Sequence, residues 1–163
     1  MLHGMLSRQT MPSWKYSISG IAPDKTALAS GRDLRVSPKA AREICAYIRG
    51  RRLLEGQQML QNVVSKSQPV PYKRHNKEVS HVTGLDGYHA GRYPVKAARE
   101  ILKLLNQVQA NAEFKGLLVD RLRIAHMAAQ RARVIRKYIP RAFGRSSPYF
   151  DRLTHIEIAV AEE

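Results

Sequence analysis

Between Arg121 and Phe150 the chain carries Arg121, Arg123, Arg131, Arg133, Arg136, Lys137, Arg141 and Arg145, and not one aspartate or glutamate. The chemistry open to such a stretch is electrostatic capture of a polyanion. Each phosphate neutralised by Lys or Arg releases condensed cations, so binding strength grows with the number of contacts. Nothing nearby neutralises this charge, so the segment is too charged to fold on itself. Two further basic groups share the pattern. Arg32, Arg35, Lys39 and Arg42 surround a helix start, where exposed N–H groups favour anions. Lys73-Arg74-His75-Asn76-Lys77 lies near Tyr72, Tyr88 and Tyr93, with Arg92 beside the last; aromatics next to cations suit base stacking and sugar contacts. The competing reading of any charge run is a solvated face. In the stretch 121–150 Tyr138, Ile139 and Phe143 interrupt the cations, and apolar side chains on an unpartnered strand pair invite aggregation in water. There a partner is the better reading.

The whole chain repeats the bias. Its 163 residues hold 28 Lys+Arg against 13 Asp+Glu, a formal charge of +15. Such a field speaks of partners and not of fold. Nucleic acid is the first candidate and an anionic membrane surface the second. No apolar run approaches the ~20 residues of a spanning helix, and the helices keep only one apolar face. Met1 to Arg8 lacks the charged start and apolar length of a signal peptide. A cytoplasmic protein is expected. Catalytic patterns are missing: no glycine loop for phosphate, no HExxH, no CxxC and no paired carboxylates at helical spacing. Asp24, Asp33, Asp86, Asp120 and Asp151 fall near element ends, where turns and caps account for them. His75, His81 and His89 stand six and eight residues apart, a spacing foreign to zinc sites, among cations that would repel a metal. Neither a catalytic residue, a metal nor a cofactor is expected. Cys45, the single cysteine, takes a helical apolar position and reads as a buried thiol.

These residues need elements to position them. Arg32 to Val36 alternates and reads as a short strand after an extended arm, 12–31. Ser37-Pro38 opens a helix whose apolar positions Ala40, Ala41, Ile44, Cys45 and Ile48 recur at helical spacing until Gly50, with Lys39, Arg42, Glu43 and Arg49 on the wet face. A second helix runs from about Leu53 to Ser65. The stretch 66–92 is a long loop of the kind that is functional or disordered. Tyr93-Pro94 opens the longest helix, which buries Val95, Ala98, Ile101, Leu102, Leu105, Val108 and Ala112 and ends at Gly116. Leu122-Arg-Ile124 and Ile156-Glu-Ile158-Ala-Val160 read as alternating strands. Pairing 122 with 160 and 124 with 158 places a turn near residue 141. A hairpin over 121–160 follows, with arms reaching on the order of 50 Å at about 3.3 Å per residue. Its outer half lacks a core and is expected to order only on a partner. Residues 1–15 read as a disordered extension and 16–163 as one domain containing the loop and the hairpin.

Several motifs then converge. Arg35-Val-Ser-Pro-Lys39-Ala-Ala-Arg42, Gly91-Arg-Tyr-Pro-Val-Lys-Ala-Ala98, Asn111-Ala-Glu-Phe114 and above all Tyr138-Ile-Pro-Arg-Ala-Phe-Gly-Arg145 followed by Thr154-His-Ile156 resemble the ribosomal protein L-twenty-two family, from about Tyr16 to Glu162. The basic insert from Pro69 to Arg92 resembles its archaeal and eukaryotic branch. The resemblance implies an α+β fold, three helices on a small three-stranded antiparallel sheet with a long protruding basic β-hairpin. It implies a non-enzymatic large-subunit protein that binds rRNA, helps assembly and lines the peptide exit tunnel near ribosomal protein L-four, where the nascent polypeptide passes. With that partner, the basic groups supply Arg32, Arg35, Lys39, Lys73, Arg74, His75, Lys77, Arg92, Arg131, Arg133, Arg136, Lys137 and Arg145 as the expected rRNA-binding residues. Arg141, Ala142, Phe143 and Gly144 would form the tunnel tip. Phe143 departs from the arginine common in bacterial members, and Ser146-Ser147 is less basic than the pattern. The alternative is a free-standing regulator that lays a basic β-ribbon in a nucleic-acid groove.

Overall fold

The computed structural model describes residues 15–162, so the expected N-terminal extension falls outside the description except for Lys15. Three helices and a three-stranded sheet share one core. The strands are β1 (Thr26–Leu34), β4 (Leu122–Ile135) and β7 (Asp151–Glu162), ordered β1-β7-β4 and antiparallel throughout. The helices are α1 (Pro38–Ile48), α2 (Leu53–Val64) and α3 (Val95–Phe114). β2 (Val70–Pro71) pairs with β3 (Gly91–Arg92), and β5 (Tyr138–Pro140) pairs with β6 (Ser146–Pro148).

Helical spacing delivers most of the core, although in α3 Leu104 and Ala97 are buried while the expected Val95 and Leu102 are only half-buried. Ile44, Cys45 and Ile48 of α1, Leu60 and Val63 of α2, and Ile101, Leu105 and Val108 of α3 are buried against Ile124, Met127, Ile156 and Ile158 of the sheet. Burial drives the Cys45 thiol up from 9.0 to about 12, which leaves it protonated and a packing group.

β7 is the central strand, and its outer face is covered too. Glu157, 1% exposed, accepts hydrogen bonds from the Ser17 amide, the Ser17 hydroxyl and the Gln130 side-chain amide, each at 2.8 Å. A buried carboxylate with that many donors ties the N-terminal arm across the sheet.

The first strand lies upstream of its expected place. Thr26 to Gly31 pair with Ala161 to Ile156, and the register breaks between Gly31 and Leu34, inside the stretch the alternation had favoured. The inward residues are Ala27, Ala29 and Gly31, too small to give an apolar signal. Gly31 lies close to α3 and to the end of its own strand: a Cβ there would come within 2.9 Å of Leu104 Cδ1 and 2.8 Å of Leu34 Cδ1, so these side chains would have to shift.

The hairpin register also differs. Leu122 pairs with Glu162 and Ile124 with Val160, a slip of two residues that keeps Leu122 and Ile124 on their expected face. A bulge between Ile124 and His126 then puts Met127 opposite Ile158, and a second lies between Arg131 and Val134. The turn consequently centres beyond residue 141, at Phe143-Gly144, both in the left-handed region with φ of 57° and 67°. The segment 66–92, expected to be a functional or disordered loop, is closed at its base by the β2–β3 pair. Within it Tyr72 and Val82 donate backbone hydrogen bonds to Ala90 and His89, and Val70 and Tyr72 are buried.

Candidate nucleic-acid interface

The outer hairpin is a narrow, exposed ladder. Arg141 donates its N–H to the Arg145 carbonyl at 2.8 Å, and Tyr149 to Lys137 at 2.7 Å. Phe143 is 97% exposed at the turn, and Tyr138 meets the Phe150 ring edge-on at 5.7 Å. A bulky residue at positive φ, held by no packing, is unusual in a protein acting alone. The charge is less uncompensated than the sequence suggested. Arg133 lies 3.2 Å from Asp33 of β1, and Lys137 lies 2.7 Å from Asp151 at the foot of β7. The hydrogen bond from Lys137 holds the Asp151 carboxyl below the usual carboxylate range. Both pairs are exposed and screened by solvent, so each contributes little to stability. Arg131, Arg136, Arg141 and Arg145 remain exposed, with Arg141 donating to the Ser147 hydroxyl at 3.2 Å.

The other two basic groups converge on the hairpin's base. Arg35, Lys39, Arg42, His75 and Arg131 line one cleft of about 500 Å³. Arg32, exposed on β1, is not part of that lining. Lys73 and Arg74 line a neighbouring hollow against α1 and β4. Lys77 is exposed further along the insert, and Arg92 donates to the Glu78 carbonyl at 3.2 Å. His81 and His89 pack edge to face at 4.6 Å, with Tyr88 stacked on His89 at 5.1 Å. Among the described residues no cluster of His, Cys, Asp or Glu could hold a metal, and no helix is long and apolar enough to cross a membrane.

What holds the second group in place is a residue that periodicity assigned to the wet face. Glu43 of α1 is 3% exposed. Its carboxylate accepts the backbone N–H groups of Lys73 at 3.1 Å, Arg74 at 3.2 Å and His75 at 3.0 Å. Successive amides cupping an anion form a nest, here filled from within the chain. The backbone that carries these three basic side chains is thus held by an acceptor from within the chain. Glu43→Ala removes the acceptor of three part-buried donors and is expected to cost about 1–3 kcal/mol in urea unfolding. Hydrogen exchange at residues 73–75 should rise above the global change. Uniform acceleration across the chain would contradict a local tether.

Fold, hairpin and basic cleft now stand together, and the sequence matches the profile of the family described as ribosomal protein L22p/L17e over residues 29–161. The chain belongs to the L22p/L17e family. Its relatives carry the name large ribosomal subunit protein uL22. That of Ignicoccus hospitalis is 48% identical over 157 residues, covering 93% of this chain and 99% of its own length. That of Methanopyrus kandleri is 49% identical over 152 residues, covering 91% and 96%. That of Methanocaldococcus jannaschii is 46% identical over 152 residues, covering 93% and 97%. L22p/L17e proteins are structural constituents of the ribosome and not enzymes, which decides against the free-standing regulator. Sequence reading missed Glu43, and also Lys96, Phe150 and Arg152 in the cleft lining. Lys96 and Arg152 carry no local signal. Phe150 offered one, as an aromatic closing the acid-free stretch.

Proposed function

We propose that the protein is a structural member of the large ribosomal subunit, in the cytoplasm, that binds rRNA along its cleft and hairpin and helps assembly. Residues 16–163 act as one ribosomal-protein domain. Arg32, Arg35, Lys39, Lys73, Arg74, His75, Lys77 and Arg92 meet rRNA around the globular part; Arg131, Arg133, Arg136, Lys137 and Arg145 meet it along the hairpin. Arg141, Ala142, Phe143 and Gly144 face the peptide exit tunnel near ribosomal protein L-four, beside the nascent polypeptide. The observation that carries this reading is the exposed, acid-free ladder from Arg131 to Arg145, ending in a bare aromatic at the turn. Phosphates suit its flanks, and a wall seen by passing chains suits its tip.

The tip is tested by replacing Phe143 with a photoreactive phenylalanine analogue in ribosomes carrying a labelled, stalled chain. Cross-links to the nascent chain are expected. Cross-links to rRNA alone would remove the tip from the tunnel wall.

A further inference from the structure

The cleft at the base of the hairpin is more than a charged surface. Its rim is cationic, yet its floor is Val36, Ala129 and Leu153, with Val36 and Leu153 buried and Ala129 packed on the core. Phe150 forms a side wall. Phe150 is 43% exposed and meets the Tyr138 ring edge to face at 88°. The one carboxylate in the lining, Asp151, is engaged by Lys137 at 2.7 Å and so repels an incoming anion less. A backbone phosphate passing over the protein needs only the rim. An apolar floor, a partly exposed aromatic side chain and about 500 Å³ of space fit a larger group with a flat apolar part and an anionic part. Unstacked RNA bases are held in that manner, by aromatic rings and arginine planes, with phosphates on nearby cations.

We propose that this cleft holds one unstacked nucleotide of the RNA, its base on the floor beside Phe150 and its flanking phosphates on Arg35, Lys39, Arg42 and Arg131. The inference rests on the RNA-binding reading and adds a base to what that reading requires. His75 reaches the same rim because its amide is tied to Glu43.

Two charge-preserving variants of the full chain test it. Ala129→Leu fills the floor, and Phe150→Ala removes the wall. Each is expected to weaken binding to large-subunit rRNA about tenfold while leaving the salt slope unchanged. The amide spectrum of each variant reports whether the fold is retained. In the unmodified protein, uridine or adenosine monophosphate should shift amides of residues 36, 129 and 150–153 at concentrations where inorganic phosphate shifts only the rim. Wild-type affinity in both variants, or equal effects of phosphate and mononucleotide, would overturn the nucleotide and leave a backbone contact with RNA. Failure of the unmodified protein to bind rRNA would overturn the nucleotide and the RNA reading together.

Discussion

Substituting Arg131, Arg136 and Arg145 together by Gln is expected to lower affinity for large-subunit rRNA by about 10² to 10³ at 0.1 M salt, with a log–log salt slope shallower by about 2 to 3 units. Each side chain is exposed on the acid-free ladder, and no ion pair to a carboxylate is seen for any of them among the described residues. Each is thus available for one phosphate and for release of nearly one condensed cation. Arg133 and Lys137 supply an internal control. With carboxylates at 3.2 Å and 2.7 Å they are already partly neutralised. Substituting either by Gln should change the slope by about half a unit or less. Filter binding across a salt series separates the cases. A triple variant with an unchanged slope would show that the hairpin does not touch phosphates. Equal effects at all five positions would show that the ion pairs are irrelevant to binding.

The second large effect contrasts the two halves of the hairpin. Ile158 sits in the central strand opposite Met127, fully buried. Ile158→Ala is expected to destabilise the free protein by about 2–5 kcal/mol, through lost transfer energy and the cavity left behind. Ile139 lies on β5 opposite Ser147 and is 39% exposed. Ile139→Ala should cost about 0.5 kcal/mol or less, the range of ordinary surface changes. Urea unfolding of both variants measures the difference. A cost above about 1 kcal/mol at Ile139 would mean that the outer ladder is stabilised within the chain, against the expectation that it orders on RNA. Electrostatics acts alongside packing. The Asp151 carboxyl is depressed in the folded state, so its contribution is present above the unfolded carboxylate range and fades as pH falls through the folded value.

The helices were legible because their apolar residues are large and recur with helical spacing: Ile44 and Ile48, Leu60 and Val63, Ile101 and Leu105. β1 was not, because its inward residues Ala27, Ala29 and Gly31 are small, and the approach of Leu104 to Gly31 is visible only in three dimensions. The hairpin was legible as a pairing of faces, but a slip of two residues leaves faces intact. The bulge at Ala125, which lets Ile124 and Met127 both face the core, has no marker in composition. The basic groups were legible as residue types. Their convergence was not, since Arg35, His75 and Arg131 come from distant segments. Glu43 was misplaced for a related reason: helical period assigns polar residues to solvent, while the insert folds back and covers this one.

An acid-poor surface of this kind suits a protein held in the large ribosomal subunit. The most direct measurement is sedimentation of an affinity-tagged protein through a gradient in high salt, after expression in cells. Co-sedimentation with large subunits is expected, because a hairpin embedded in RNA leaves slowly once assembled. A protein that remains at the top of the gradient, with large subunits present and intact, would contradict it.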